Sequence, residues 1–392
     1  MFQRSLRTQS TTLSEIVEIS EKVNVRRNAG ENVLSFGTGE PDFPTPPHVI
    51  QAAYKAMQAG DTTYPPTQGK VNLRSAIAKL AKVEPDKIII STGAKQVLAN
   101  ACLASLNAGD EIIIPAPYWT SYADIVRICQ ATLVVVSCTE ANGFKLTPEQ
   151  LEQAITPRTK WLLLNSPGNP SGAIYSRYEI KSLVNVLKSN PHVWIMADEI
   201  YEHISYDPFT SFAATAPELT DRTLTVNGVS KAYAMTGWRL GWGIGPLSLI
   251  KAMVVVQGLC TSGASSISQA AALAALSGPQ DLLTERLESF RKRRDFVVDA
   301  LNQTKLLKCS IPAGAFYVLP SCKSCLGLKT PNGLEIKTDS DFCRYILDDG
   351  GVATVPGSAF GLPGYFRLSY AYSFADLKEG LIRIAKAVSA LS

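Results

Sequence analysis

Seven short apolar runs, rich in β-branched residues and bounded by polar or turn-forming ones, recur between residues 87 and 245. They are KIIIST (87–92), EIIIPAP (111–117), TLVVVSC (132–138), KWLLLNSP (160–167), HVWIMADE (192–199), TLTVNGVS (223–230) and RLGWGIG (239–245). Their apolar residues are continuous rather than alternating, which marks strands buried on both faces of a sheet. Between them lie stretches of helical character, such as KQVLANACLASLN and SRYEIKSLVNVLKSN. Strand and helix alternate, so the pattern predicts an α/β domain with a mainly parallel seven-stranded sheet flanked by helices.

Beyond residue 305 the texture changes. A helical segment, TERLESFRKRRDFVVDALNQ (284–303), leads out of the sheet domain. GAFYVLP and GYFRLSYAY then read as strands, and SDFCRYILDDG and FADLKEGLIRIAKAVSAL as helices. These predict a smaller α+β domain formed by the N- and C-terminal segments. The expected division is a large domain at 48–298 and a small one at 1–47 and 299–392, in keeping with a length of 392 residues.

Hydrophobic residues make up 46% of the chain and charged residues 18%, as in a globular protein with a substantial core. The net charge of +4 is mild and the cations are scattered. Nothing in it calls for nucleic acid, and the densest run, RKRR at 291–294, reads as a solvated helix face. No apolar run reaches the ~18 residues of a membrane span. The first residues, MFQRSLRTQSTTLSEI, have no clear amphipathic face and no secretory apolar region. The expected location is cytoplasmic. Cys102, Cys129, Cys138 and Cys260 lie in apolar segments, which suits buried thiols in a reducing compartment. Cys322 and Cys325 form a CxxC without a second pair, and a three-histidine centre would take all three histidines of the chain, so no metal site is expected.

Ligands of open α/β sheets sit beyond the carboxyl ends of the strands, so the residues after each run are the candidates. TGAKQ (92–96) offers small residues and a helix start, where backbone N–H groups favour an anion. Tyr118 and Trp119 follow the second run, and Asn169 lies in GNPSG after the fourth. Asp198 ends a wholly apolar run, with Tyr201 three residues on. Lys231 follows the sixth run and Arg239 opens the seventh, within SKAYAMTGWRLG, whose glycines Gly237 and Gly241 allow close backbone approach. Singly, each has a plain structural reading: an ordinary helix start, a core indole, a helix N-cap. Together they supply a phosphate cradle, a stacking aromatic, a buried acid, an amine and a guanidinium, which is the set that pyridoxal phosphate requires.

With these motifs the chain resembles the class I/II, fold-type I aminotransferases, and within them the bacterial aspartate aminotransferase subgroup. The likeness runs from GTGEPDFPTP (37–46) to FRLSYAYS (366–373), through TTYPPTQG, TGAKQ, PYW, NSPGNPSG, ADEIYEHISYD, SKAYAMTGWRLG and VPGSAFG. The resemblance implies pyridoxal 5′-phosphate as cofactor, with Lys231 as the Schiff-base lysine that also carries the proton. It implies Asp198 as partner of the pyridine nitrogen, Tyr201 and Asn169 as partners of the ring oxygen, and Trp119 as the stacking residue. Ala94, Lys95 and Arg239 match the phosphate cup. Tyr64 matches a residue that reaches the phosphate of a neighbouring subunit, which implies a homodimer with shared sites. Arg367 matches the grip on the substrate α-carboxylate, and Gly39 lies where the substrate backbone passes. One position departs: some subgroups carry a serine three residues before the lysine, where this chain has Gly228, leaving Ser230 as the hydroxyl of that stretch.

The resemblance implies ping-pong transfer of an amino group between an amino acid and a 2-oxo acid, with aspartate or glutamate expected and aromatic or prephenate-type substrates as the alternative. Ser10 or Thr12 of QSTTLS (9–14) is the candidate for the distal carboxylate, and no distal arginine is identified. Two other functions remain. One is a carbon–sulfur lyase or decarboxylating enzyme on the same fold. The other is a ligand-sensing domain of a transcription regulator, for which the first 30 residues are too short to hold a DNA-binding helix pair. A dinucleotide site would need Gly-x-Gly-x-x-Gly after an early strand, and none is found.

Overall fold

The computed structural model describes residues 2–9, 11 and 15–392. In chain order its strands are β1 (Leu34–Ser35), β2 (Ile88–Ser91), β3 (Glu111–Ala116), β4 (Thr132–Ser137), β5 (Thr159–Asn165), β6 (Trp194–Asp198), β7 (Thr223–Gly228), β8 (Gly241–Ile244), β9 (Tyr317–Val318), β10 (Val352–Ala353), β11 (Val355–Pro356) and β12 (Phe366–Ser369). Each of the seven apolar runs has become one strand of a single seven-stranded sheet, in the order β2-β8-β7-β6-β5-β3-β4. Its neighbours are parallel except β8, which is antiparallel to both β2 and β7. That reversal has a direct consequence. β7 ends, and β8 begins, on the rim where the parallel strands end. The loop between them therefore holds Lys231 and Arg239 on that one rim.

The period-2 alternation of strand side chains splits the core into layers. Ile112, Trp161, Leu163, Met196 and Leu224 face the helices Ala94–Ser105 and Leu247–Cys260. Ile113, Leu162, Leu164, Ile195 and Ala197 face the helix Arg177–Lys188. Burying each such Leu or Ile contributes about 1.5–3 kcal/mol. The helix Arg177–Lys188 begins in a capping box, with Ser176 and Glu179 each satisfying the other's backbone N–H. β4 departs from the expected two-faced burial. It is an edge strand with no fully buried residue, and Val135 keeps 41% of its surface. A β-branched run by itself does not distinguish an edge from a centre.

The terminal segments meet in two small sheets. β1 pairs in parallel with β10, Leu34 opposite Val352, and β11-β12-β9 form an antiparallel sheet. Their shared core includes Phe36, Phe290, Phe316, Phe342 and Phe366. The helix Asp281–Gln303 carries RKRR, which is not a solvated face. Arg294 is buried, with its guanidinium 4.3 Å from the Tyr206 ring, and Arg293 bonds Asp42 at 2.7 Å. Four consecutive helical residues turn through a full circle, so they cannot all face water. Cys322 and Cys325 are fully buried in this core, and burial pushes the Cys325 thiol up to about 11. Cys260, expected inside, is exposed beside Leu259 at the end of its helix. Among the described residues no group of His, Cys, Asp and Glu is placed to hold a metal ion, and no helix is long and apolar enough to cross a membrane.

Candidate active site

A cleft of about 330 Å³ opens between the rim of the large sheet and the terminal segments. Gly39, Ala94, Lys95, Trp119, Asn169, Asp198, Tyr201, Ser230, Lys231, Arg239 and Arg367 all line it. Tyr64 does not; it is 90% exposed to the outside of the chain. Ser10 and Thr12 lie outside the described residues.

Asp198 is the last residue of β6, at the floor of the cleft. The Tyr122 hydroxyl donates to its Oδ2 at 2.6 Å and the Ile200 N–H to its Oδ1 at 3.2 Å. Burial pushes its carboxyl up to about 6, against the pull of these two donors and of Lys231. The group is thus largely ionised near neutral pH yet strongly in need of a cationic partner. Asn165 donates to the Asp198 backbone carbonyl at 2.9 Å and accepts from the Asn169 N–H at 2.8 Å, which fixes the two strand ends together. Neighbouring Glu199 does not line the cleft; its carboxylate accepts from Ser211 and Phe212.

Lys231 Nζ donates to the Gly39 carbonyl at 2.6 Å and lies 5.9 Å from the centre of the Tyr201 ring. Burial lowers its ammonium to about 8, Glu40 raises it, and Arg367 and Arg239 lower it further. An amine so placed has a neutral, nucleophilic fraction near neutral pH.

At one end of the cleft the donors are those of an anion site. Gly93, at φ 82°, precedes the helix that starts with Ala94 and Lys95, and the N–H groups of these two residues have no intrahelical acceptor. A Cβ at Gly93 would stand 2.6 Å from Arg239 Nη2, so the glycine is needed for the guanidinium to approach. Arg239 itself holds φ 53° and donates to the Thr236 carbonyl at 2.7 Å. Gly241 is equally constrained, since a Cβ there would stand 2.8 Å from the Gly93 carbonyl carbon; Gly237 has open space around it. Lys95 Nζ lies 4.9 Å from the Trp119 ring, and burial, with Arg239 next, lowers its ammonium.

At the other end Arg367, from β12, is 1% exposed. Its guanidinium lies 4.5 Å from the centre of the Tyr317 ring and 4.9 Å from that of Phe360. It donates to Asn169 Oδ1 at 2.9 Å and to the Gly37 carbonyl. Its Nε is buried without a partner, as is Thr120 Oγ1 in the same cleft. A buried donor left unpaired costs about 1–3 kcal/mol, which a carboxylate ligand would relieve.

Sequence reasoning passed over Asn165, Tyr122, Thr120 and Tyr317. Asn165 was legible, because it is the last residue of β5 and strand ends are where ligand groups stand. Tyr122 lies in the same helix start as Trp119, their rings 5.3 Å apart edge to face. Tyr317 stands inside GAFYVLP, on a two-residue strand, and not at the end of a run where a ligand group is looked for.

The donor chemistry fits a phosphorylated, aromatic aldehyde. Backbone N–H groups, Arg239, the flat ring of Trp119, the acid of Asp198 and the amine of Lys231 all line this one cleft. Comparison with known proteins shows the family. A family model described as aminotransferase class I and II matches residues 31–384. The chain is 54% identical to an aspartate aminotransferase of Rhizobium meliloti (strain 1021), over 100% of this chain and 97% of the relative. It is 49% identical to a probable aspartate/prephenate aminotransferase of Rhizobium leguminosarum bv. phaseoli, over 95% of each. The crystal structure of the aspartate aminotransferase from Rhizobium meliloti superposes with a TM-score of 0.97, at 54% identity and full coverage of both chains.

Proposed function

This chain belongs to the class I and II aminotransferases, and from that membership we propose that it uses pyridoxal 5′-phosphate to move an amino group between aspartate or glutamate and a 2-oxo acid. The observation that carries the reading is the meeting of three buried groups on one cleft: the depressed amine of Lys231, the acid of Asp198 and the unpaired Nε of Arg367. When bound, pyridoxal 5′-phosphate supplies an aldehyde for amines and an electron sink for the charge left when an α-proton departs. The first amides of the helix at Ala94 and Lys95, the Ser230 hydroxyl and Arg239 hold the phosphate. Trp119 stacks on the ring. Asp198 holds a proton on the ring nitrogen, and Tyr201 and Asn169 donate to the ring oxygen. Lys231 takes the proton from the donor's α-carbon and delivers it again. Arg367 grips the α-carboxylate, and Gly39 lies where the substrate backbone passes. Donor and acceptor use one site in turn, so the kinetics are ping-pong.

The same reading makes the enzyme a cytoplasmic homodimer with shared sites, Tyr64 reaching the neighbour's phosphate. The exposure of Tyr64, Val255 and Leu259 supports an apolar contact surface. It also divides the chain into a cofactor-binding domain at 48–298 and a small domain at 1–47 and 299–392, a division that the pairing of β1 with β10 supports.

A half-reaction screen tests the proposal. The yellow holoenzyme is mixed with each amino acid, and loss of the visible band is followed. Aspartate and glutamate are expected to react fastest, ahead of aromatic donors, and Lys231→Ala to react at least about 10²-fold more slowly. An unaltered spectrum with full turnover in Lys231→Ala would refute the assignment. Release of ammonia and pyruvate without a 2-oxo acid acceptor would favour a lyase instead.

A further inference from the structure

The reading above gives no task to Tyr317, a buried polar side chain of the cleft. Tyr317, on β9, is 1% exposed, and its hydroxyl lies 2.9 Å from that of Tyr201. Its ring face meets the Arg367 guanidinium at 4.5 Å. Its hydroxyl also stands where a Cβ of residue 39 would be, against the glycine whose carbonyl holds Lys231 Nζ. One phenol thus touches the carboxylate-binding arginine, the ring-oxygen donor and the segment that restrains the amine.

We propose that Tyr317 is a positioning residue that couples the carboxylate grip of Arg367 to the ring-oxygen donor Tyr201. This rests on the functional reading above, in which Tyr201 donates to the ring oxygen. Tyr201 has a single O–H. Once that proton is given to the ring oxygen, the Tyr201 oxygen can only accept from its phenolic neighbour, so Tyr317 must be the donor. The chain then runs in one direction, from Tyr317 to Tyr201 to the ring. A phenol that accepts a hydrogen bond becomes a stronger donor itself. With the cofactor bound, donation to its ring oxygen would stabilise the anion there and lower the pH at which the visible band titrates. The arginine at the ring face of Tyr317 favours the electron-rich side of that ring and holds its plane. Phenylalanine at 317 would keep the packing against Arg367 and Phe316 and lose the hydroxyl alone.

The test is Tyr317→Phe in the holoenzyme, read by pH titration of the visible band and by steady-state kinetics with aspartate. The midpoint is expected to rise by about half a unit, and KM to rise by roughly threefold to tenfold with a smaller change in kcat, the range of one neutral hydrogen bond. In a Tyr201→Phe background, Tyr317→Phe should add no further shift of the midpoint, because the chain is already broken. A purely structural role would move unfolding temperature but not this pattern. Should Tyr317→Phe disturb folding, 3-fluorotyrosine at 317, a stronger donor of the same shape, should lower the midpoint. Wild-type values in Tyr317→Phe, a shift that persists in full in the Tyr201→Phe background, or no effect of fluorination would overturn the proposal. A wild-type chain that takes up no cofactor would overturn the functional reading and this inference with it. A normal band indifferent to residue 317 would overturn the inference alone.

Discussion

The two walls of the cleft are built by different means. One is the rim of the seven-stranded sheet, where Asp198 and Lys231 each stand within three residues of a buried strand end. The other is gathered from residues 37–40, Tyr317 and Arg367 by strands of two to four residues. On the first wall burial sets the chemistry, lifting Asp198 to about 6 and lowering Lys231 to about 8. On the second wall Arg367 is held by Asn169, the Gly37 carbonyl and two aromatic rings, with its Nε left unpaired. In the function proposed above this is a division of labour: the sheet wall tunes protons, and the terminal wall recognises charge.

The largest expected effect that sharpens this contrast is at Asp198. Asp198→Asn should lower turnover by about 10²–10⁴-fold, because the ring nitrogen loses its acid–base partner. The same change should stabilise the cofactor-free fold at alkaline pH. The folded pKa is raised above the ordinary carboxylate value, so the stability that protonation gives is complete below about pH 4 and lost as pH rises through about 6. At pH 8 the buried charge costs on the order of 1–3 kcal/mol. Denaturant unfolding of the cofactor-free variant should show that gain at pH 8 and little of it near pH 4. Equal gains at both would mean that burial of charge is not what sets this wall.

A smaller effect is expected at Tyr122. Tyr122→Phe removes a hydrogen bond to a buried carboxylate and should weaken cofactor binding by roughly tenfold. It should also move the acid limb of the pH–rate profile upward, since the phenol holds the Asp198 pKa down. Equilibrium dialysis and a pH–rate profile measure the two; an unmoved acid limb would place the control of Asp198 elsewhere.

The contrast between the walls also explains what the sequence made legible. A functional residue that follows a long apolar run is marked by the run, so Asp198, Lys231 and Trp119 could be singled out from the residues alone. The antiparallel β8 was not foreseen, yet it is what puts Arg239 beside the rim of Lys231. On the other wall, Arg367 and Gly39 came only from resemblance, and Tyr317 was missed. Those residues are far apart in sequence, and two-residue strands carry no periodicity. Surface character was misread for a related reason. The arginines of RKRR find Tyr206, Asp42 and Pro312 across the fold, partners that no local pattern announces.

The division of labour is tested most directly by Arg367→Ala, comparing the half-reaction of L-aspartate with that of its α-carboxamide. The wild-type enzyme should favour the free α-carboxylate by roughly 10²-fold or more, as expected of a buried bidentate charge pair. The variant should lose that preference while keeping the cofactor's visible band and affinity. A variant that still prefers the carboxylate, or that loses the cofactor instead, would contradict the account.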